Sequence, residues 1–287
     1  MKDNRTNLTH NTTERKTMNA PTSTFWSRRT LLKQGLGLVG LTISGLLSSR
    51  NMADAFTQPT PRQGLGPFFP DDGDEVKAIR ENPDPNLPMS EANDQNLTFV
   101  KGRKGKAQGQ VIYLIGRVLS GKTGQPIPNS VLIMWSASAS GRYNHTGDDG
   151  TYSFPHPNTG KTIQRTHDEY FQYWGKAVTN DYGEYWFKTI VPGFYPIDLQ
   201  AGLYRPSHLH FKILPPGFPP FVTQLYFRGD HIPNNALNQE LLPKDVVILD
   251  AGLTPEEQER VIVDYAPDPS GKITDGLIGH YDFVLPS

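Results

Sequence analysis

The chain contains no cysteine. That absence excludes disulfide staples, thiolate nucleophiles, Cys-ligated zinc and iron-sulfur clusters, so any metal must be held through nitrogen and oxygen. An excess of charge is also missing: 287 residues carry a formal net charge of -1, with no basic stripe and no acidic tail. Nothing therefore points to nucleic acid or an anionic membrane surface, and a small neutral or mildly anionic partner suits the balance. Long hydrophobic runs are lacking too. The apolar stretch from Gly35 to Leu47 is about 13 residues, where a membrane-spanning helix needs roughly 20. No internal repeat of the solenoid kind is present.

Proline and glycine, by contrast, are plentiful at 25 and 27 residues, which favours turns and loops over long helices. A hydrophobic content of 36% is enough to bury a substantial core. One globular domain with appendages is the expected organisation.

Residues 1–55 read as an address. A polar start leads into Ser27-Arg28-Arg29-Thr30-Leu31-Leu32-Lys33, then the Gly-rich apolar stretch, then Ala53-Asp54-Ala55 as a small-x-small cleavage site before Phe56. The paired arginines before a modestly hydrophobic segment resemble a twin-arginine export signal, which implies a periplasmic or extracellular destination. An uncleaved membrane anchor is the alternative. Residues 56–108 form a Pro-rich leader expected to pack on the core, with Pro59, Pro61, Pro67, Pro70, Pro83, Pro85 and Pro88 interrupting any long element.

From 109 to 287 the texture is that of an all-β domain. Val111–Leu119, Val131–Trp135, Tyr185–Ile190, Leu209–Leu214 and Val222–Phe227 are β-rich runs separated by Gly/Pro turns, and Tyr281–Leu285 closes the chain as a last strand. This spacing predicts a β-sandwich of mixed or antiparallel strands with long loops. One short C-terminal helix is expected, with Thr254 as cap, Pro255 at the first helical position and Glu257 completing a capping box. Glu256, Glu257 and Glu259 then belong to a solvated face.

The chemistry concentrates around Arg205-Pro206-Ser207-His208-Leu209-His210-Phe211. Side chains alternate across a strand, so His208 and His210 project to one side, as two ligands of one metal do, while Leu209 and Phe211 point to the core. Taken alone, the pair is equally compatible with hydrogen-bonded histidines on a half-exposed strand. Arg205 reads as a surface ion-pair residue or as a guanidinium that stabilises charge on a bound substrate. Tyr143 in Gly141-Arg142-Tyr143 and Tyr195 in Pro192-Gly193-Phe194-Tyr195-Pro196 read alone as buried structural tyrosines.

In combination these segments resemble the intradiol ring-cleavage dioxygenases, non-haem iron(III) enzymes. The similarity runs from Leu114 to Asp230: Leu114-x-Gly116-Arg117-Val118, Trp135 and Gly141-Arg142-Tyr143, Asn180-Asp181-x-Gly183 through Pro196, Arg205-Pro206-x-His208-x-His210, and Thr223-Gln224-Leu225-Tyr226-Phe227-x-Gly229-Asp230. Gln63-Gly64-Leu65-Gly66-Pro67-Phe68-Phe69 is similar to the leader of the protocatechuate branch.

By position the resemblance implies Fe(III) bound by Tyr143 and His208 as equatorial ligands and by Tyr195 and His210 as axial ones, with a solvent hydroxide in the fifth place. It implies a catecholic diol and O2 as substrates, a muconate-type diacid as product, Tyr195 as general base, and Arg205 and Gln224 beside the carbon that accumulates charge. A homo-oligomer is implied as well. Two hard phenolate oxygens favour Fe(III) over Zn(II) or Fe(II), which agrees with that assignment.

The chain departs from the family at Trp135-Ser136-Ala137-Ser138-Ala139 and between Asp168 and Lys176, segments that bear on specificity. His145, His156, His167, His231 and His280 match no ligand position and are expected to be structural or exposed. Two rival readings stand beside the dioxygenase: a non-catalytic secreted β-sandwich that binds a ligand or partner, and a zinc hydrolase built on the histidines.

Overall fold

The computed structural model describes residues 58–69, 94–148 and 152–286. The expected signal segment, its cleavage site and the middle of the leader lie outside them. Among the described residues no helix is long and apolar enough to cross a membrane.

The strands, in chain order, are β1 (Val111–Ser120), β2 (Val131–Trp135), β3 (Ser153–Pro155), β4 (Thr162–Gln164), β5 (Trp174–Val178), β6 (Glu184–Ile190) and β7 (Tyr195–Asp198). They continue with β8 (Leu203–Arg205), β9 (His208–Leu214), β10 (Phe221–Arg228), β11 (Ile262–Pro267), β12 (Leu277–His280) and β13 (Phe283–Leu285). Three short helices, α1 (Asn235–Leu241), α2 (Val246–Asp250) and α3 (Pro255–Glu259), fill the connection from β10 to β11. The domain is an all-β sandwich with mixed and antiparallel pairing.

β1 shows why these runs become strands. Ile112 and Leu114 are wholly buried while Val111, Tyr113 and Ile115 between them are only partly so, the period-two alternation of a pleated ribbon with one face inward. β1 pairs antiparallel with β6 and parallel with β12 and then β13 along its length. The other layer runs β10-β9-β2-β5. The layers meet where Phe211 of β9 packs against Phe187 of β6 and Phe283 of β13, ring centroids 6.0 and 4.9 Å apart. Each such fully buried side chain contributes about 1.5–3 kcal/mol.

The capping box at α3 forms as expected: the Thr254 hydroxyl accepts from Glu257 N and the Glu257 carboxylate from Thr254 N. α1 and α2 precede it, and they carry no comparable pair of signals. At α1 the cap position, Asn234, is left-handed and makes no side-chain cap bond.

Leader residues are stitched into the sandwich. Thr60 N donates to Val284 O, Gln63 N to Val222 O and Leu97 N to Lys188 O. This covering corrects one expectation. The outer face of β9 is not half-exposed: His208 and His210 are 2% and 1% exposed, because the leader and the loops around Tyr143 and Tyr195 lie over them.

Candidate active site

Strand register assembles the site. β9 lies between β2 and β10, so Trp135, His210 and Gln224 stand side by side across three strands, with Tyr226 opposite His208. In the β7–β8 hairpin Tyr195 pairs with Arg205. Tyr143 arrives on the loop after β2, where Gly141 adopts φ +81° and a Cβ would strike the Phe194 carbonyl at 2.6 Å. Only glycine fits that close approach.

Three donor atoms converge. Tyr143 Oη lies 3.1 Å from His208 Nε2 and 2.9 Å from His210 Nε2, and the two Nε2 atoms are 3.0 Å apart. The Tyr195 ring stands 5.7 Å from that of Tyr143 and 5.8 Å from that of His208. All four side chains expected to bind a metal therefore surround one point.

Proton counting shows what this cluster suits. His208 Nδ1 faces Pro206 O at 2.7 Å; a carbonyl only accepts, so Nδ1 carries the proton and Nε2 presents a lone pair. His210 Nδ1 turns toward the Leu65 backbone without a well-formed hydrogen bond. Burial, and then the charge of Arg205, holds both imidazoles well below the usual histidine range, so they are neutral. Lone pairs thus face each other with too few protons to bridge them, a deficit that a cation removes. Burial also raises both phenols, Tyr143 further than Tyr195, whose rise Arg205 opposes. A hard trivalent ion reverses that trend by stabilising phenolates. Among the described residues no group of three or more His, Cys, Asp or Glu is placed to hold a metal; the oxygen atoms next to the two imidazoles are those of the tyrosines.

Arg205, 2% exposed, donates from Nε to Asp245 Oδ2 at 2.8 Å and from Nη2 to Gln224 Oε1 at 2.5 Å. Burial works against its charge, yet Tyr195 and Asp245 outweigh that and its pKa rises. Arg205 and Gln224 are thus brought to the tyrosine-histidine cluster, as expected from their positions.

Several neighbours escaped the sequence reading. Asp245 is fully buried and also caps α2 by accepting from Val247 N; an Asp before an apolar run signals a cap, but not an arginine partner 40 residues away. Phe68 packs tilted against Tyr143 with ring centroids 4.5 Å apart, and Trp135 lies nearly parallel to His210 at 4.7 Å. Asp148 accepts from Tyr143 N at 2.7 Å and pairs with Arg165, whose guanidinium lies over the Tyr195 ring. His167 Nε2 sits 3.0 Å from Tyr143 O, and His145 packs on Phe68. The altered segment after Asp168 is pinned inward, with Asp168, Phe171, Tyr173 and Trp174 buried.

A family model described as Dioxygenase matches residues 84–266, well over half of the chain. The protocatechuate 3,4-dioxygenase beta chain of Burkholderia cepacia is 34% identical over 138 residues, 48% of this chain and 53% of its own length. The chain belongs to the intradiol ring-cleavage dioxygenase family. Another relative, the intradiol ring-cleavage dioxygenase prcA of Aspergillus niger, is 26% identical over 215 residues, 71% of this chain and 56% of its own. The match spans little more than half the length of these curated relatives. A solved hydroxyquinol 1,2-dioxygenase from Pseudomonas putida aligns over 80% of this chain and 68% of its own at 22% identity, with a TM-score of 0.49.

Proposed function

We propose that this dioxygenase cleaves the ring of a catecholic diol between its two hydroxyl-bearing carbons, placing both atoms of O2 in a muconate-type diacid. The observation that carries the reading is the meeting of Tyr143 Oη, His208 Nε2 and His210 Nε2 within 3.1 Å, with the Tyr195 ring beside them. Tyr143, Tyr195, His208 and His210 would hold Fe(III). Bound there, the ion would supply Lewis acidity toward the diol and an electron acceptor for the chemistry with O2.

The remaining roles fall to the chain. Tyr195 Oη, as the phenolate that a bound ion would stabilise, would take a proton from the diol, whose phenolic hydroxyls stay protonated in neutral water. Phe68, against Tyr143 and Tyr195, offers an aromatic wall for a flat ring. Arg205 has a fixed positive charge beside the cluster, and negative charge that gathers on the ring during oxidation is stabilised by it and by Gln224. His208 keeps its Nε2 bare because Pro206 O holds the Nδ1 proton. The Arg28-Arg29 segment and its Gly-rich sequel support export to the periplasm or beyond.

The decisive experiment is the visible spectrum and oxygen uptake of iron-loaded protein over catechol, protocatechuate, hydroxyquinol and substituted catechols. Tyrosinate-to-iron charge transfer should colour the protein, and addition of a substrate should shift the band as oxygen is consumed. Iron-replete but colourless protein would sink the proposal.

A further inference from the structure

Tyr143 and Tyr195 reach the site from separate stretches of chain, and one buried guanidinium serves both. Arg165, directly after β4, donates from Nε and Nη2 to Gly141 O at 3.0 and 2.6 Å, and from Nη2 to both oxygens of Asp148 at 2.9 Å. Asp148 Oδ2 in turn accepts from Tyr143 N at 2.7 Å. The backbone leading into Tyr143 is thereby tied to Arg165 at two places. The guanidinium carbon also lies over the Tyr195 ring, 5.4 Å from its centroid.

A guanidinium makes its hydrogen bonds in its own plane, which leaves its faces for an aromatic ring. One group can therefore hold the Tyr143 loop by its edge and Tyr195 by its face. Arg165 is itself fixed, since its N donates to Tyr152 O at 2.7 Å, just before β3. Arg165 and Asp148 are each 4% exposed, so salt screens the charge over the ring very little. A buried ion pair is often no more stabilising than apolar side chains of similar volume. Stability alone thus gives little reason for a charge here, whereas its place over a phenol that would carry negative charge does.

We propose that Arg165 is a positioning residue for both tyrosines: it locks the Tyr143 loop through Gly141 and Asp148 and, with its charge over the ring, holds Tyr195 in place and stabilises negative charge on it. The β3–β4 hairpin, which carries no expected ligand, is thereby part of the site. The second half of the proposal rests on the role given to Tyr195 above.

The test uses Arg165→Met, Arg165→Lys and the double variant Arg165→Met/Asp148→Asn, which leaves no charge stranded if Arg165→Met alone fails to fold. The first readout needs no metal: the flip rate of the Tyr195 ring in metal-free full-length protein, measured by NMR on labelled tyrosine and assigned with Tyr195→Phe. Loss of a desolvated cation–π contact should raise that rate about tenfold in Arg165→Met and in the double variant, and less in Arg165→Lys. Equal rates in parent and variants would overturn the proposal. The second readout is the visible band of iron-loaded protein. A positive charge over the ring lowers the energy of the electrons that move to the ion, so Arg165→Met should shift the band to longer wavelength and Arg165→Lys should restore most of the parent position. An unmoved band in Arg165→Met, or a shift of equal size in Arg165→Lys, would overturn the electrostatic half. A parent that shows no band with iron, while the flip rates differ as expected, supports the positioning role and counts against the proposed activity.

Discussion

Arg205 and Asp245 form an ion pair from which water is excluded: Nε lies 2.8 Å from Oδ2, and the two side chains are 3% and 0% exposed. Breaking such a pair strands one charge in the interior, at a cost of about 3–5 kcal/mol. Asp245→Asn keeps the shape and removes the charge, so its urea midpoint should fall by an amount corresponding to that range. A midpoint equal to the parent's would mean that Gln224 suffices to hold Arg205.

His208→Ala removes the imidazole nitrogen that Pro206 O keeps bare. Iron retained after dialysis should drop to a small fraction of the parent's and the visible band should vanish with it. Full retention, read by elemental analysis, would show that the ligand set is wrong.

Tyr195→Phe should behave differently. The variant keeps the three converging donor atoms, so iron should remain while the charge-transfer band shifts and turnover slows. Stopped-flow mixing with catechol would follow loss of the diol proton; parent-like rates would remove Tyr195 as the base.

Gly66 has φ +79°, and a Cβ placed on it lies 3.0 Å from His210 Cε1. A side chain there meets both the left-handed backbone penalty, about 1–2 kcal/mol, and the imidazole itself. Gly66→Ala should therefore lower the melting temperature and weaken iron binding together, measured by calorimetry and by competition with a chelator. Loss of stability with unaltered iron affinity would mean that His210 does not move.

Asp268 supplies a pH-dependent term far from the site. Hydrogen bonds from the Ser270 hydroxyl and then the Ile273 backbone pull its pKa from 3.8 to about 2. The folded value lies below the unfolded one, so its stabilisation is complete above the unfolded pKa and is lost as pH falls through about 2. The stability gap between parent and Asp268→Ala should therefore narrow as pH drops below 4. Denaturant titrations at pH 6, 4 and 3 check this, and a gap constant with pH would contradict it.

Strands such as β1 and β9 were legible because burial follows backbone periodicity, and periodicity is local. β7 and β8 were not: four and three residues long, the first with Pro196 inside, they alternate too briefly to register. β12 hid behind Gly276 and Gly279, which read as turn residues. The Thr254–Glu257 capping box was legible for the same reason as β1, since both partners lie within one turn.

The amino-acid sequence by itself determined that nitrogen and oxygen, not sulfur, must bind any metal and that His208 and His210 share a face, while its resemblance to a family implied Tyr143, Tyr195, Arg205 and Gln224 beside them. Only the tertiary structure decided that the face is buried under the leader, that Asp245 answers Arg205, and that Gln63 reaches Tyr226 across 163 residues. The physical reason is that local pattern reports which way a side chain points along its own strand. What it meets depends on register between distant strands, and on the requirement that each buried polar group find a partner once water has gone.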